Sequence, residues 1–297
     1  MTSNVQRILV ATDFSAQAER AARRALALAP AGATVHLLHV LPAAPLQRIR
    51  EVLGTPVDAQ VREAALGEAE HRLEELRARL TGELGRTLTA EVVEGRPKTA
   101  ISDYAREHAF DLVVAGTHGR EGIQQVFSGN TAQKVVRTAD RPVLLVGAVK
   151  GADRPYRRVL VAVDFSEASG RALHWALALS PEATVYVLHV FELPFEQIID
   201  YQAVDREVAE HYREKGQDLA RAELDRLLAS TQETARCRPL IRQGEPARVI
   251  LGQARYQEVD LIAMGSRGLG AGSESLLGSV NVHLMQRAEC DLLSIRP

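Results

Sequence analysis

The chain has 297 residues, of which 46% are hydrophobic and 25% are charged, and its formal net charge is −2 at pH 7. This length admits one large domain or two ordinary ones, and the near-neutral charge argues against broad binding to nucleic-acid phosphates. The two cysteines form no CxxC pair or Cys/His cluster, which argues against a disulfide framework and a structural zinc site. No signal-peptide pattern or long apolar run is present, so we expect a soluble, cytoplasmic protein without a membrane span.

The first predicted elements recur in the second half of the chain. Two pairs of segments match closely: 8–30 with 159–181, and 33–40 with 183–190. The offset between matching residues is 151 at Asp13 and Asp164, and 149 at Gly116 and Gly265. A near-constant offset indicates two tandem copies of about 145 residues, an ordinary domain size. We therefore predict domains at 1–148 and 159–297, joined by a polar linker at 149–158.

Short β-branched runs alternate with helical stretches within each copy. In the second copy we predict strands at 158–163, 184–190, 236–241, 260–264 and 291–295, and helices at 168–179, 200–229, 246–257 and 279–288. This alternation is typical of βαβ units, and strands that are apolar throughout are expected where helices cover both faces of a parallel sheet. The predicted fold class is α/β, with two tandem doubly wound five-stranded parallel-sheet domains in the strand order 3-2-1-4-5.

Glycines follow the fourth strand of the second copy at fixed intervals. Gly265, Gly268 and Gly278 form a G-x2-G-x9-G series, and Ser279 follows the last of them. Glycine suits backbone that has a positive φ or approaches a neighbour closely. The start of a helix offers free amides and a partial positive charge, which stabilise a bound phosphate. For Ser279 alone an ordinary N-cap is the simpler interpretation, whereas the whole set favours phosphate binding.

The series falls where an α/β domain of this type binds ligands. Ligands bind beyond the carboxyl ends of the strands, where the winding direction reverses, and here that point lies between strands 1 and 4. Strand 1 of the second copy ends at Asp164, and strand 4 ends at Met264 and Gly265. We expect Asp164 on the opposite lip of this crevice, where it suits a ribose hydroxyl, an adenine edge or Mg²⁺.

Three features of the second copy resemble the universal stress protein family in its tandem two-domain form. They are VAVDFS at the first strand, LHV at the second and the G-x2-G-x9-G-[ST] signature, which is typical of the ATP-binding class. The resemblance implies that Asp164 and Val190 contact adenine and ribose. It implies a phosphate loop lined by Met264, Gly265, Arg267 and Gly268. It further implies that the phosphates are held by Gly278, Ser279 and Val280.

The first copy departs from this signature at one position. Its loop, GTHGREGIQQVFSGNT at 116–131, keeps the glycine spacing but has Asn130 where Ser or Thr is expected, with Thr131 one place late. Asparagine still caps helices, but its amide is larger than a hydroxyl. We therefore expect weaker nucleotide binding by the corresponding residues Asp13, Val40, Gly116, His118, Gly119, Gly129, Asn130 and Thr131.

The sequence contains no recognisable catalytic motif. No Walker lysine follows the glycines, and no Ser-His-Asp set, Cys-His pair or water-activating acidic pair is recognisable. His39 and His189 are expected to be satisfied within the fold, and Cys237 and Cys290 to be buried and inert. The prediction is a regulatory, ATP-binding stress-response protein; the alternatives are a weak Mg²⁺-dependent ATPase and an interaction module with vestigial clefts.

Assembly is predicted from the fifth strands. The segments 142–147 and 291–297 are apolar and would form sheet edges, which invite pairing. We expect these strands to pair about a pseudo-twofold axis, so that the two copies form an intramolecular counterpart of a homodimer. The family resemblance implies the same arrangement. An unknown protein partner and a homodimer of the whole chain stay open.

Overall fold

The computed structural model describes residues 5–43, 55–117, 130–147, 152–191, 206–266 and 277–296. The first half alternates strands and helices from the first strand to the fifth. Its elements are β1 Arg7–Thr12, α1 Ala16–Leu28, β2 Thr34–Pro42, α2 Thr55–Leu84, β3 Leu88–Gly95, α3 Pro97–Glu107, β4 Leu112–Gly116, α4 Asn130–Thr138 and β5 Val143–Val146.

The second half repeats this order. Its elements are β6 Arg158–Val163, α5 Glu167–Leu179, β7 Thr184–Phe191, α6 Arg206–Ala229, β8 Cys237–Gln243, α7 Pro246–Tyr256, β9 Leu261–Gly265, α8 Ser279–Arg287 and β10 Asp291–Ile295. The predicted bounds agree with these to within a residue or two, apart from the helix predicted at 200–229. Its first residues, 200–205, lie outside the described part of the chain.

The strands form one ten-stranded sheet in the order β3-β2-β1-β4-β5-β10-β9-β6-β7-β8. Each half therefore has the predicted strand order 3-2-1-4-5, and the predicted fold class is confirmed. Neighbouring strands within each half are parallel. The halves meet where β5 and β10 pair antiparallel, with Leu144 opposite Leu293. This is the pairing of fifth strands that the sequence predicts.

Helices cover both faces of the sheet, so each strand buries side chains on two sides. Along β1, Ile8 and Val10 join the core layer under α1 and α2, whereas Leu9 joins the layer under α3 and α4. The second half repeats the two layers, with Leu224 of α6 in the first and Leu284 of α8 in the second. Uniformly apolar strands are the sequence signature of this two-sided burial.

Candidate functional site

Three strands of the second half end together at one edge of the sheet. Val163, the last residue of β6, is paired with His189 of β7, and Ala162 is paired with Met264 of β9. The residues that follow these pairs are Asp164, Val190 and Gly265. Because the strands are parallel and adjacent, the structure brings these three predicted site residues to the same edge.

A tight turn fixes the position of Asp164. Its Oδ1 atom accepts hydrogen bonds from the backbone N–H of Ser166 at 3.1 Å and from the Ser166 hydroxyl at 2.6 Å. Ser166 in turn caps α5, where its side chain accepts from the N–H of Ser169 at 3.2 Å. In the first half, Asp13 accepts from the N–H of Ser15 at 3.0 Å. The turn that starts each helix therefore also holds the carboxylate at the strand end.

A left-handed phenylalanine lies in the middle of each turn. Phe14 and Phe165 have φ values of 64° and 63°, a conformation that is strained for a bulky side chain. Their rings lie 4.4 and 4.3 Å from the imidazoles of His39 and His189. Each imidazole Nδ1 donates to the carbonyl of the last residue of the neighbouring strand, at 2.8 and 2.9 Å. The histidines are satisfied within the fold, as the sequence predicts, and they support the strained turn.

Gly265 is required for close packing between β9 and α5. The described glycines with positive φ are Gly32, Gly85 and Gly244, so Gly265 does not have the left-handed conformation. A Cβ atom at Gly265 would lie 3.0 Å from the Cβ of Ala168 and 3.2 Å from the backbone N of Ser169. Of the two reasons for a glycine here, the structure therefore supports close approach of the helix to the strand.

Helix α8 starts at this edge without a side-chain cap. Gly278 is the N-cap residue, with φ −59° and ψ 147°, and as a glycine it has no side chain with which to cap the helix. Ser279 is the first residue of the helix and is exposed. The simpler interpretation of Ser279 as an ordinary N-cap is therefore wrong, because the capping position belongs to Gly278. The predicted pairing of glycine and serine at the helix start is correct.

Hydrogen bonds hold the start of α8 against the end of β9. Gly278 N–H donates to the carbonyl of Ser266 at 3.2 Å, and the Asn281 side-chain amide donates to the carbonyl of Gly265 at 2.6 Å. The Asn281 Oδ1 atom accepts from the hydroxyl of Ser294 on β10 at 3.3 Å. Asn281 is only 3% exposed. The sequence reasoning missed this asparagine, although a polar residue between the valines of V-N-V was a visible signal.

One buried hydroxyl at this edge lacks a partner. The Oγ atom of Ser266 makes no hydrogen bond within the described residues, although the backbone N–H of Ser266 donates to the carbonyl of Ile295 at 2.6 Å. A buried hydroxyl without a hydrogen-bond partner is unusual in a folded protein. Arg267 and Gly268, both predicted site residues, lie outside the described part of the chain.

The edge has an apolar side as well as hydrogen-bond donors. Val190, Leu277 and Val280 are partly buried and pack against the core layer that contains Met264. Beside them lie the uncapped start of α8 and the Ser266 hydroxyl. An arrangement of this kind suits a ligand that combines an apolar ring with an anionic group.

The first half has the same arrangement of strand ends, with different residues at the start of its last helix, α4. Asp13, Val40 and Gly116 lie at the corresponding strand ends, and a Cβ at Gly116 would lie 2.9 Å from Gln17 Cγ. Helix α4 begins at Asn130, with Thr131 partly buried in its first turn. The side chain of Asn130 and the residues His118, Gly119 and Gly129 lie outside the described set.

The described residues outside this edge were compared with the requirements of a metal site and of a membrane span. No group of three or more His, Cys, Asp or Glu side chains there could hold a metal ion. No helix among the described residues is both long and apolar enough to cross a membrane. Cys237 and Cys290 are free and buried, as predicted, and burial raises the pKa of the Cys290 thiol to about 12.

Comparisons with known proteins agree on one family. A model described as the universal stress protein family matches residues 4–147 and again residues 155–296. A universal stress protein of Mycolicibacterium smegmatis is 27% identical over 299 residues, which cover 98% of this chain and 97% of that protein. Universal stress protein YxiE of Bacillus subtilis is 31% identical over 150 residues, which cover 48% of this chain and 99% of that protein.

A solved structure has the same fold over nearly the whole chain. The crystal structure of a universal stress protein from Archaeoglobus fulgidus covers 98% of both chains with a TM-score of 0.65 at 18% sequence identity. Together with the two matches of the family model, this similarity extends to both halves. The chain therefore belongs to the universal stress protein family and carries its domain twice, in tandem.

Proposed function

We propose that this protein is a regulatory stress-response module that binds ATP in its second half. The observation that carries the proposal is the complete glycine series from Gly265 to Gly278, which leads directly into the uncapped start of α8 with Ser279 as its first residue. Free amides at a helix start, together with a serine hydroxyl, suit the oxygens of a polyphosphate.

The fit to an adenine nucleotide extends across the edge. Val190 supplies an apolar side for a base, and the carboxylate of Asp164 suits ribose hydroxyls or a Mg²⁺ ion that accompanies the phosphates. The hydroxyl of Ser266, which has no hydrogen-bond partner within the described residues, supplies a further donor. ATP, with or without Mg²⁺, is therefore the ligand that we propose.

We propose binding rather than efficient catalysis. The segment between Gly265 and Ser279 has no lysine, and the Asp164 carboxylate already accepts two hydrogen bonds from Ser166. Any ATP hydrolysis should therefore be slower than about 1 s⁻¹, the low end of ordinary enzyme turnover. We further propose that the module acts in the cytoplasm, where its two thiols stay reduced, and that a protein partner responds to its nucleotide-bound state.

The experiment that tests the site is ATP binding by the Gly278→Val variant. A branched side chain at Gly278 would occupy the space through which a phosphate approaches the amides of α8, so ATP affinity should fall at least tenfold. The matched control is Gly129→Val, the same change in the first half, which should leave the tight site intact. Unchanged ATP affinity in Gly278→Val, with the fold verified by circular dichroism, would refute the assignment.

Two further measurements separate the alternatives. Mass spectrometry of the ligand released from purified protein should detect an adenine nucleotide, whereas absence of any binding in titrations would favour the interaction module with vestigial clefts. Steady hydrolysis of about one ATP per second that is lost in Asp164→Asn would instead favour the ATPase.

A further inference from the structure

The junction between the two halves contains a buried charged cluster. Arg24 of α1 donates from Nε to Oδ2 of Asp291 at 2.8 Å, and the hydroxyl of Tyr156 donates to the same oxygen at 2.8 Å. The backbone N–H of Gly147 donates to the other carboxylate oxygen at 2.9 Å. The side chains of Arg24 and Asp291 are 4% and 1% exposed, so solvent does not replace these contacts.

The cluster joins three separate parts of the chain. Arg24 belongs to the first half, Asp291 begins β10 of the second half, and Tyr156 lies in the segment between them. The guanidinium carbon of Arg24 lies 4.4 Å from the centre of the Tyr156 ring, and its Nη1 donates to the carbonyl of Arg154. Burial raises the pKa of Tyr156 well above its ordinary value, so the hydroxyl keeps the proton that it donates.

We call β5 and β10, the strands through which the halves pair, the inner edges of the two halves. The residues beside these two inner edges differ between the halves at the positions of Arg24 and Asp291. The repeat offset of 151 near the first strand places Trp175 where the first half has Arg24. β5 pairs with β4 in the first half, and β10 pairs with β9 in the second half. Matching these two pairings gives a repeat offset of 149, which places Pro142 where the second half has Asp291. One edge therefore contributes the cation and the other the anion, and neither contributes both.

This inequality bears on which edges can pair. If two second halves paired through β10, Trp175 would take the place of Arg24, and the buried carboxylate would lose its guanidinium. If two first halves paired through β5, Arg24 would face Pro142 and lose its carboxylate. A buried ion that loses its partner is strongly destabilising, because the charge remains desolvated.

We propose that Arg24, Tyr156 and Asp291 form a recognition cluster through which the inner edge of each half accepts the other half and rejects a copy of itself. The partner is the unlike half, normally of the same chain because the linkage gives a high effective concentration. When the match within a chain is broken, the unlike half of a second copy becomes the better partner.

Complementation between two variants tests this proposal. Arg24→Leu leaves the Asp291 carboxylate without its cation within its own chain, and Asp291→Leu leaves the Arg24 guanidinium without its anion. A dimer in which the two variants exchange halves has one junction with both charges and one junction with two leucines, so both junctions are matched. Co-refolding an equimolar mixture should therefore give at least tenfold more heterodimer than the homodimer formed by either variant alone, measured by native mass spectrometry.

Two controls keep the result specific. The double variant Arg24→Leu/Asp291→Leu has a matched apolar junction and should have the same dimer fraction as the unmodified chain. The pair Arg158→Leu and Glu258→Leu removes an exposed salt bridge of 2.8 Å within the second half, and its mixture should give no heterodimer. A dimer fraction in the Arg24→Leu and Asp291→Leu mixture equal to that of the separate variants would overturn the proposal.

A thiol probe covers the case in which the leucine variants fail to fold. The milder variants Arg24→Gln and Asp291→Asn then replace them, and labelling of Cys290 reports the junction, since its carbonyl lies 3.3 Å from the place of a Cβ on Gly147. Each milder variant alone should label Cys290 at least tenfold faster than the unmodified chain, with Cys237 as the internal control. Unchanged Cys290 labelling in both variants would contradict the proposal.

Discussion

The two halves have the same turns and strand ends at the carboxyl edge of the sheet. They differ in the residues at the start of the last helix, α4 or α8. In both halves a phenylalanine with a positive φ follows an aspartate. In both, a glycine at the end of the fourth strand lets the first helix of that half, α1 or α5, pack closely against the strand. At α8 the second half has Asn281, which bonds the end of β9, whereas the repeat offset of 149 places Ala132 at that position in the first half. The same offset replaces Met264 with Ala115.

The comparison shows which residue of the glycine series has a packing role in both halves. Gly116 is present in the half whose signature is incomplete, and it has a packing reason there, since a Cβ would lie 3.1 Å from the backbone of Gln17. The first glycine of the series is therefore explained without a ligand. We therefore propose that phosphate recognition by the motif depends on its later residues, Gly278 and Ser279, at the start of α8.

The largest expected effect follows from breaking the contact between the halves. Leu144→Pro removes a backbone N–H from a central strand and a fully buried side chain, so it should cost more than the about 2–5 kcal/mol of a buried leucine truncation. Calorimetry should show the single unfolding transition separating into two. Leu144→Ala, which keeps the N–H, should lower stability and retain one transition; independent tumbling of the halves in the unmodified chain would contradict the packing.

The next prediction tests whether the first glycine serves the fold in both halves. Gly265→Ala and Gly116→Ala should each destabilise the protein by about 1–3 kcal/mol, because the added Cβ overpacks the helix against the strand. Gly252→Ala in α7 has open space and should stabilise by about 0.5–1 kcal/mol. Urea unfolding measures all three. A stable Gly265→Ala variant with impaired ATP binding would show that this glycine serves the ligand instead.

Removing the fastening of α8 should make the second half resemble the first. Asn281→Ala leaves the carbonyl of Gly265 without its side-chain donor and should cost about 1–3 kcal/mol. The affinity for ATP should fall with it, since the start of α8 is no longer held beside β9. Ser294→Ala removes only the longer 3.3 Å bond and should have a smaller effect on both measurements. Unchanged ATP affinity in a folded Asn281→Ala variant would show that ATP binding does not depend on the hydrogen bond between Asn281 and Gly265.

The smallest expected effect is the gain of a hydrogen bond in the first half. Asn130→Ser restores the small hydroxyl that the signature requires, and a charge-assisted hydrogen bond is worth about 1.5–3 kcal/mol, or roughly tenfold to a hundredfold in affinity. Calorimetry should detect a strengthened second site in this variant but not in Asn130→Ala. No gain in Asn130→Ser would show that other differences, such as Ala115 and Ala132, control the first site.

The alternation of strands and helices could be predicted from the sequence because each pattern spans only a few residues, and the near-constant repeat offset indicated the two copies. The strand order was expected from the fold class, and the pairing of the fifth strands from their apolar edges and the family resemblance. The sequence could not show that Gly265 packs against Ala168, because that contact joins segments about a hundred residues apart. The same holds for Arg24 and Asp291, which are 267 residues apart and meet only after the halves have paired.

ATP titration of the unmodified chain by calorimetry tests the proposed ATP site most directly. We expect about one tight site per chain, because the second half has the complete signature and the first half has Asn130 in place of the serine. Any binding by the first half should be at least tenfold weaker. Two equal tight sites, or tight binding that survives Gly278→Val and is lost in Gly129→Val, would contradict the central claim.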